Sequence, residues 1–325
     1  ANPQNAFDKT TKVPGVERVL CLNEANGKIL WEQEYVCDYR LSYGSGPRTT
    51  PLVADGKVYT LGAMGHLYCF DATSGKIIWS KDLMDVYKCD RPMWGFAGHP
   101  LLDGERLICL VGGNGSVAVA FHKDTGKEIW KALSANEPGY APPTIFEIDG
   151  VRQLILWHPE SINSLDPITG KVYWSHRYNQ KKQLGAGMSI PQPRLDGDRL
   201  FFTCFYDGSL MLKVKGTEAP KVMWQGMGRG VMPEDTDALH CVMNTPVIKD
   251  GYIYGACSYG EYRCIEEATG KRIWASFEPT TGKSTRWGNA FTVEQGDRYI
   301  LFNELGDLII AKLSPKGYEE IDRAN

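Results

Sequence analysis

Residues 49–83 set out a pattern that most of the chain repeats. TTPLVA (49–54) is apolar, KVYTLGA (57–63) and HLYCFDA (66–72) alternate apolar with polar positions, and IIWSKDL (77–83) ends the set. Alternation with period two places successive side chains on opposite faces of a β-strand. Turn formers separate the runs: Asp55-Gly56, Gly65, and Thr73-Ser74-Gly75-Lys76. Such turns between alternating runs predict hairpins, hence four short antiparallel strands with the apolar one innermost. The first turn recurs at Asp103-Gly104, Asp149-Gly150, Asp196-Gly197, Asp250-Gly251 and Gln295-Gly296. The second recurs at Gly115, Gly208, Gly260 and Gly306, with Pro159-Glu160 in its place in the fourth repeat.

Six segments close on one phrase: NEANGKILW, DATSGKIIW, HKDTGKEIW, DPITGKVYW, the degenerate KGTEAPKVMW, and EEATGKRIW. Their tryptophans are Trp31, Trp79, Trp130, Trp174, Trp224 and Trp274, spaced 48, 51, 44, 50 and 50 residues apart. A period near fifty built on short strands predicts an all-β propeller of four-stranded blades. The blades fall at about 18–35, 49–83, 98–133, 143–178, 191–225, 244–277 and 289–321, in a single domain over 1–325. The first holds only its two outer strands, and Lys316-Gly317-Tyr318 replaces the phrase in the last. Closure requires whole blades, so the native polypeptide is expected to extend beyond both ends and to carry an eighth blade. Each tryptophan is expected on an outer strand, its ring stacked on the glycine turn of the next blade, burying roughly 150–250 Å².

A net charge of −3 gives no electrostatic case for nucleic acid or an anionic membrane. No apolar run is long enough to span a bilayer. Of nine cysteines, Cys21, Cys69 and Cys264 share a strand slot that holds Ala120 and Ser164 in other repeats. That slot is expected to be tightly packed. Cys109, Cys204 and Cys257 fall on the preceding strand. Cys37, Cys89 and Cys241 lie in loops and are the candidates for thiol chemistry; Cys37 and Cys89 follow consecutive blades and are a candidate pair.

Phe70-Asp71-Ala72-Thr73-Ser74-Gly75-Lys76-Ile77-Ile78-Trp79 and Leu165-Asp166-Pro167-Ile168-Thr169-Gly170-Lys171-Val172-Tyr173-Trp174 resemble the tryptophan-docking motif of the pyrroloquinoline quinone (PQQ)-like propeller repeat family. The resemblance covers nearly the whole chain and departs from the motif at Ala219-Pro220. The family includes quinoprotein alcohol dehydrogenases, the outer-membrane assembly lipoprotein BamB and many uncharacterised exported bacterial propellers; the wording is most similar to the last group. It implies a periplasmic or otherwise extracytoplasmic protein. The motif specifies the blade and not the cofactor.

Binding residues concentrate on loops carried by rigid scaffolds. The connections between blades are long: 36–48, 84–97, 134–142, 179–190, 226–243 and 278–288. They are expected on one face near the central channel, opposite the short Asp-Gly and Thr-Gly-Lys turns. Candidate ligand-binding residues there are Arg48, Arg91, Trp94, His99, Tyr140, Arg229, His240, Arg286 and Trp287, beside Arg40, Tyr43, Cys89, Phe96, Glu234, Asp235, Asp237, Cys241 and Lys283. Arginine beside tryptophan occurs twice, and arginine both forks onto carboxylates and stacks on aromatic faces. The same loops equally suit packing over the core.

Quinone chemistry as the resemblance implies it needs calcium on hard oxygen ligands, a carboxylate base and planes that sandwich the cofactor; in the family's dehydrogenases one plane is a vicinal disulfide. This chain has no adjacent cysteines, no Cys-x-x-Cys-His and no HExxH. No cofactor or metal is therefore expected, and PQQ with calcium is held only by the resemblance. Three readings follow. The first is a non-catalytic exported scaffold for an envelope protein or component. The second is a small-molecule or glycan binder in the funnel. The third is a PQQ- and calcium-dependent dehydrogenase with a degenerate site.

Overall fold

The computed structural model describes residues 11–42, 44–178 and 187–325. Among them the chain forms one two-stranded and six four-stranded sheets, each four-stranded sheet a meander of consecutive strands. The second sheet has strands Leu52–Ala54, Lys57–Leu61, His66–Asp71 and Ile77–Asp82, antiparallel throughout, as the alternation predicts. The first sheet has only Val16–Leu22 and Ile29–Val36. The last is complete, with Ala290–Gln295, Arg298–Asn303, Leu308–Ser314 and Gly317–Ala324. The fold is all-β and of the propeller class. The chain divides into two compact units. One runs to Ile145 and includes Leu156–Pro159 and Leu165–Val172; the other comprises Phe146–Ile155, Glu160–Ser164 and Tyr173–Asn325.

The tryptophan phrase works as a dock from one sheet to the next. The indole nitrogens of Trp31, Trp79, Trp130, Trp224 and Trp274 donate to the carbonyls of Ala72, Lys123, Pro167, Glu267 and Ser314, at 2.9, 2.9, 3.2, 2.8 and 2.7 Å. Each such bond contributes about 1 kcal/mol. The glycine of the phrase is a steric requirement. At Gly75, with φ +70°, a Cβ would stand 2.6 Å from the Trp31 ring. Gly170 meets Trp130 at 2.7 Å in the same way. The repeat that departs from the phrase shows the converse. Pro220 stands where the glycine belongs, and the Trp174 indole nitrogen is buried with no acceptor among the described residues.

The small-residue slot has the same origin. Cys69, Ala120 and Cys264 pair in register with Trp79, Trp130 and Trp274, and the register shifts within one or two residues of each pair. A larger side chain opposite the ring would compete for the docking space. Cys69, Cys264, Ala120 and Ser164 are all fully buried.

Candidate functional site

Within the first unit three long connections are tied together. The backbone nitrogen and hydroxyl of Ser42 both reach the Met93 carbonyl at 3.4 Å. The Trp94 backbone nitrogen donates to the Tyr140 hydroxyl at 3.4 Å, and the two rings lie 5.2 Å apart. Between them Gly95 must be glycine: at φ +78° its Cβ would fall 2.6 Å from the Ala63 carbonyl. The candidates here have different fates. Arg48 donates to the carbonyls of Gly46 and Gly44 at 2.6 and 2.8 Å, so its fork closes its own loop. His99 accepts from the Thr50 backbone nitrogen at 2.9 Å through Nδ1, and burial lowers its pKa. It is a neutral ring that ties two segments. Tyr140 is buried, and burial, then Glu137, push its hydroxyl up.

Arg91 and Trp94 differ from these. Arg91 is half-buried; burial, then the Arg40 guanidinium beside it, lower its pKa. Arg40 is exposed. The Trp94 indole nitrogen is buried with no acceptor among the described residues. Two guanidinium groups therefore lie close together on these loops. Glu17, which the sequence pattern does not single out, anchors the first loop from below. It is buried and accepts from the hydroxyls of Tyr35 and Tyr39, the latter at 2.6 Å.

In the second unit, the connection 226–243 is organised by a residue that sequence reasoning missed. Arg263 is fully buried on strand Tyr262–Glu266. It donates to Pro233 O at 2.8 Å, Ala238 O at 2.9 Å and Thr236 Oγ1 at 2.9 Å, with Nε 2.5 Å from Glu261. The only sequence signal was an arginine at an inward strand position. Arg229 is 88% exposed, with Nη2 4.0 Å from Asp235, and belongs to the surface. His240 is fully buried: Nδ1–H donates to Phe205 O at 2.9 Å, and burial pushes its pKa down to about 4. It is neutral at physiological pH and does not serve as a cationic ligand-binding group.

Arg286 and Trp287 do come together, the guanidinium 4.8 Å over the indole. The indole in turn lies 4.7 Å from the Phe205 ring, which also meets Tyr206 and Tyr259. Trp287 and Tyr259 both have left-handed backbone, at φ +67° and +57°. Thr285 N donates to Tyr259 O at 2.9 Å and holds the two loops in register. Tyr43 and the run 179–186 lie outside the described residues.

The loop cysteines prove to be core residues. Cys37, Cys89 and Cys241 are free and buried. Cys37 and Cys89 belong to separate hydrophobic clusters, which corrects the expected pairing. Burial, then Glu17, push the Cys37 thiol up to about 12, so it stays protonated.

A family model described as outer membrane protein assembly factor BamB matches residues 16–276. The chain belongs to that family. It is 25% identical over 259 residues to BamB of Moranella endobia, covering 77% of this chain and 63% of that protein's length. The quinoprotein alcohol dehydrogenase PedH of Pseudomonas putida is 31% identical over 140 residues, 40% of this chain and 22% of that protein. A crystal structure of BamB from Moraxella catarrhalis superposes with a TM-score of 0.62 over 92% of this chain and 80% of that one, at 16% identity. The last likeness shows the fold alone.

The described residues do not fit a quinone with calcium. The Glu234–Asp237 carboxylates lie on a loop whose short helix, Pro233–Asp235, offers its carbonyls to Arg263 and Arg272. Asp235 turns toward Arg229 on the surface. The Trp287 ring is already engaged by Arg286 and Phe205. One other cluster, Glu105, His122 and Asp124, brings three ligand types within 4.8 Å, but Lys57 stands 2.7 Å from Asp124 and Lys123 3.3 Å from Glu105. Those ammonium groups already neutralise the carboxylates.

Proposed function

We propose that this chain is a non-catalytic extracytoplasmic propeller that binds a protein of the cell envelope through its inter-blade loops. Membership in the BamB family supports the envelope setting. The observation that carries the binding surface is the pair Arg40 and Arg91, two guanidinium groups brought close on loops tied together by Ser42, Met93 and Tyr140. Two neighbouring guanidinium groups suit a partner that supplies carboxylates, because arginine forks onto carboxylates and charge-assisted bonds are the stronger class.

The test is quantitative binding of candidate envelope proteins to the parent and to Arg40→Glu/Arg91→Glu at two salt concentrations. The reading expects affinity to fall with salt and to be lost on charge reversal, with the folded state kept. Binding that is indifferent to both would overturn it.

A further inference from the structure

The last two sheets of the second unit border an open cavity of about 400 Å³, whose lining includes Lys249, Asp250, Tyr252, Tyr254, Asp297 and Tyr299. Asp250, Gly296 and Asp297 of the short turns line it, and none of its lining comes from the long loops. That volume is within the roughly 300–1,000 Å³ of small-molecule sites.

One residue departs from the repeat. In five sheets the register places the residue after the first hairpin's closing pair at an equivalent position: Val58, Leu107, Leu200, Ile253 and Tyr299. Four are aliphatic, and the last is a tyrosine. Tyr299 is 2% exposed, and its hydroxyl has no hydrogen-bond partner among the described residues. A buried, unsatisfied hydroxyl costs on the order of 1–3 kcal/mol. Propensity gives no reason to place one where four other sheets use an aliphatic side chain. Departures from local consistency of this kind concentrate at functional sites.

The rest of the lining defines what would satisfy it. Tyr252 is half-buried and presents its ring, with the buried rings of Tyr254 and Tyr299 also in the lining, 6.3 Å apart. Lys249 lies 5.8 Å over the Tyr299 ring and is bound to Glu294 at 2.6 Å and Gly296 O at 2.9 Å. Asp250 and Asp297 are exposed carboxylates at the rim. Charges of both signs surround the cavity, so it favours no ion. Apolar ring faces, paired with hydroxyl donors and carboxylate acceptors, match a neutral polyhydroxylated ring.

We propose that this cavity binds a pyranose residue, with Tyr299 Oη as the buried hydrogen-bond partner and Asp297 as a rim acceptor. The site is independent of the loop surface around Arg91. The probe is a panel of methyl pyranosides and N-acetylglucosamine at millimolar concentration, read by saturation-transfer NMR and by thermal shift. The expected result is saturable binding of at least one sugar by the parent. Tyr299→Phe should weaken it about five- to tenfold, the effect of one lost hydrogen bond, with a melting temperature equal to or above the parent's. Asp297→Asn, at an exposed position, should weaken it as well, and Arg91→Glu should leave it unchanged. No saturable signal from any sugar overturns the proposal, as does parent-like binding by both Tyr299→Phe and Asp297→Asn.

Discussion

Arg91 with Trp94 and Arg286 with Trp287 sit on loops of different units, and their surroundings differ in how the indole is engaged. Arg286 lies over its own neighbour's indole, and that indole rests on Phe205. The indole there is engaged by two side chains of its own unit. Arg91 instead stands beside Arg40, and the Trp94 indole nitrogen has no acceptor among the described residues. An arginine near a tryptophan in sequence is therefore not itself a binding signal. The signal is the pair of guanidinium groups that the fold brings close.

The strongest way to break the contrast is to undo the support of the second group. Arg263→Ala removes the clamp on the 226–243 connection and leaves Glu261, which is largely buried, with only Arg272 at 3.5 Å. Removing one member of a buried ion pair costs about 3–5 kcal/mol, measurable as a lower denaturation midpoint. Because His240 in that connection holds Phe205, the Arg286–Trp287 stack should loosen with it, while the Arg91 surface keeps its partner affinity.

The next effect is pH-dependent. His240 has a folded pKa of about 4, below its unfolded value of 6.5. The unfolded chain takes up the proton first, so this contribution is complete above pH 6.5 and is lost as pH falls toward 4. The loss is on the order of 3 kcal/mol. Glu267 acts in the opposite sense: burial pushes it up to about 7, despite Arg199 at 3.2 Å, so its contribution declines as pH rises from 4.5 to 7. Subtracting the stability curve of His240→Asn from the parent's should isolate the acid-sensitive component. A flat difference between pH 4 and 6.5 would contradict the buried neutral ring.

Smaller effects sharpen the same distinction between answered and unanswered donors. Trp130→Phe loses the bond to Pro167 and should cost about 1 kcal/mol more than Trp174→Phe, whose nitrogen has none. Arg286→Ala should cost about 0.5–1 kcal/mol from the lost cation–π contact. Trp94→Phe should leave stability unchanged or slightly raised, because it removes an unsatisfied donor. Chemical denaturation resolves all three.

The blades were legible because turn glycines and docking tryptophans are local in sequence and sterically required. Gly75 and Trp31 show why: no other residue fits against that ring. The degenerate phrase at Ala219-Pro220 even marked where a dock is missing. The candidate site was less legible. Arg48, His99 and His240 have the residue types of ligand groups, yet their partners are backbone carbonyls or an amide supplied by the fold. Arg263 and Glu17 organise the loops from strands that carry no motif. Pairing across loops depends on tertiary placement, which periodicity does not encode.

The most direct test of the account places a photo-crosslinking residue at Ser45, in the loop that carries Arg40, or at Ser284, beside Arg286, in the protein as expressed in whole cells. The account predicts a discrete crosslinked partner from position 45 that disappears with Arg91→Glu, and none from position 284 that responds to Arg286→Glu. A partner captured equally from both positions, or one from position 45 that ignores Arg91→Glu, would contradict it.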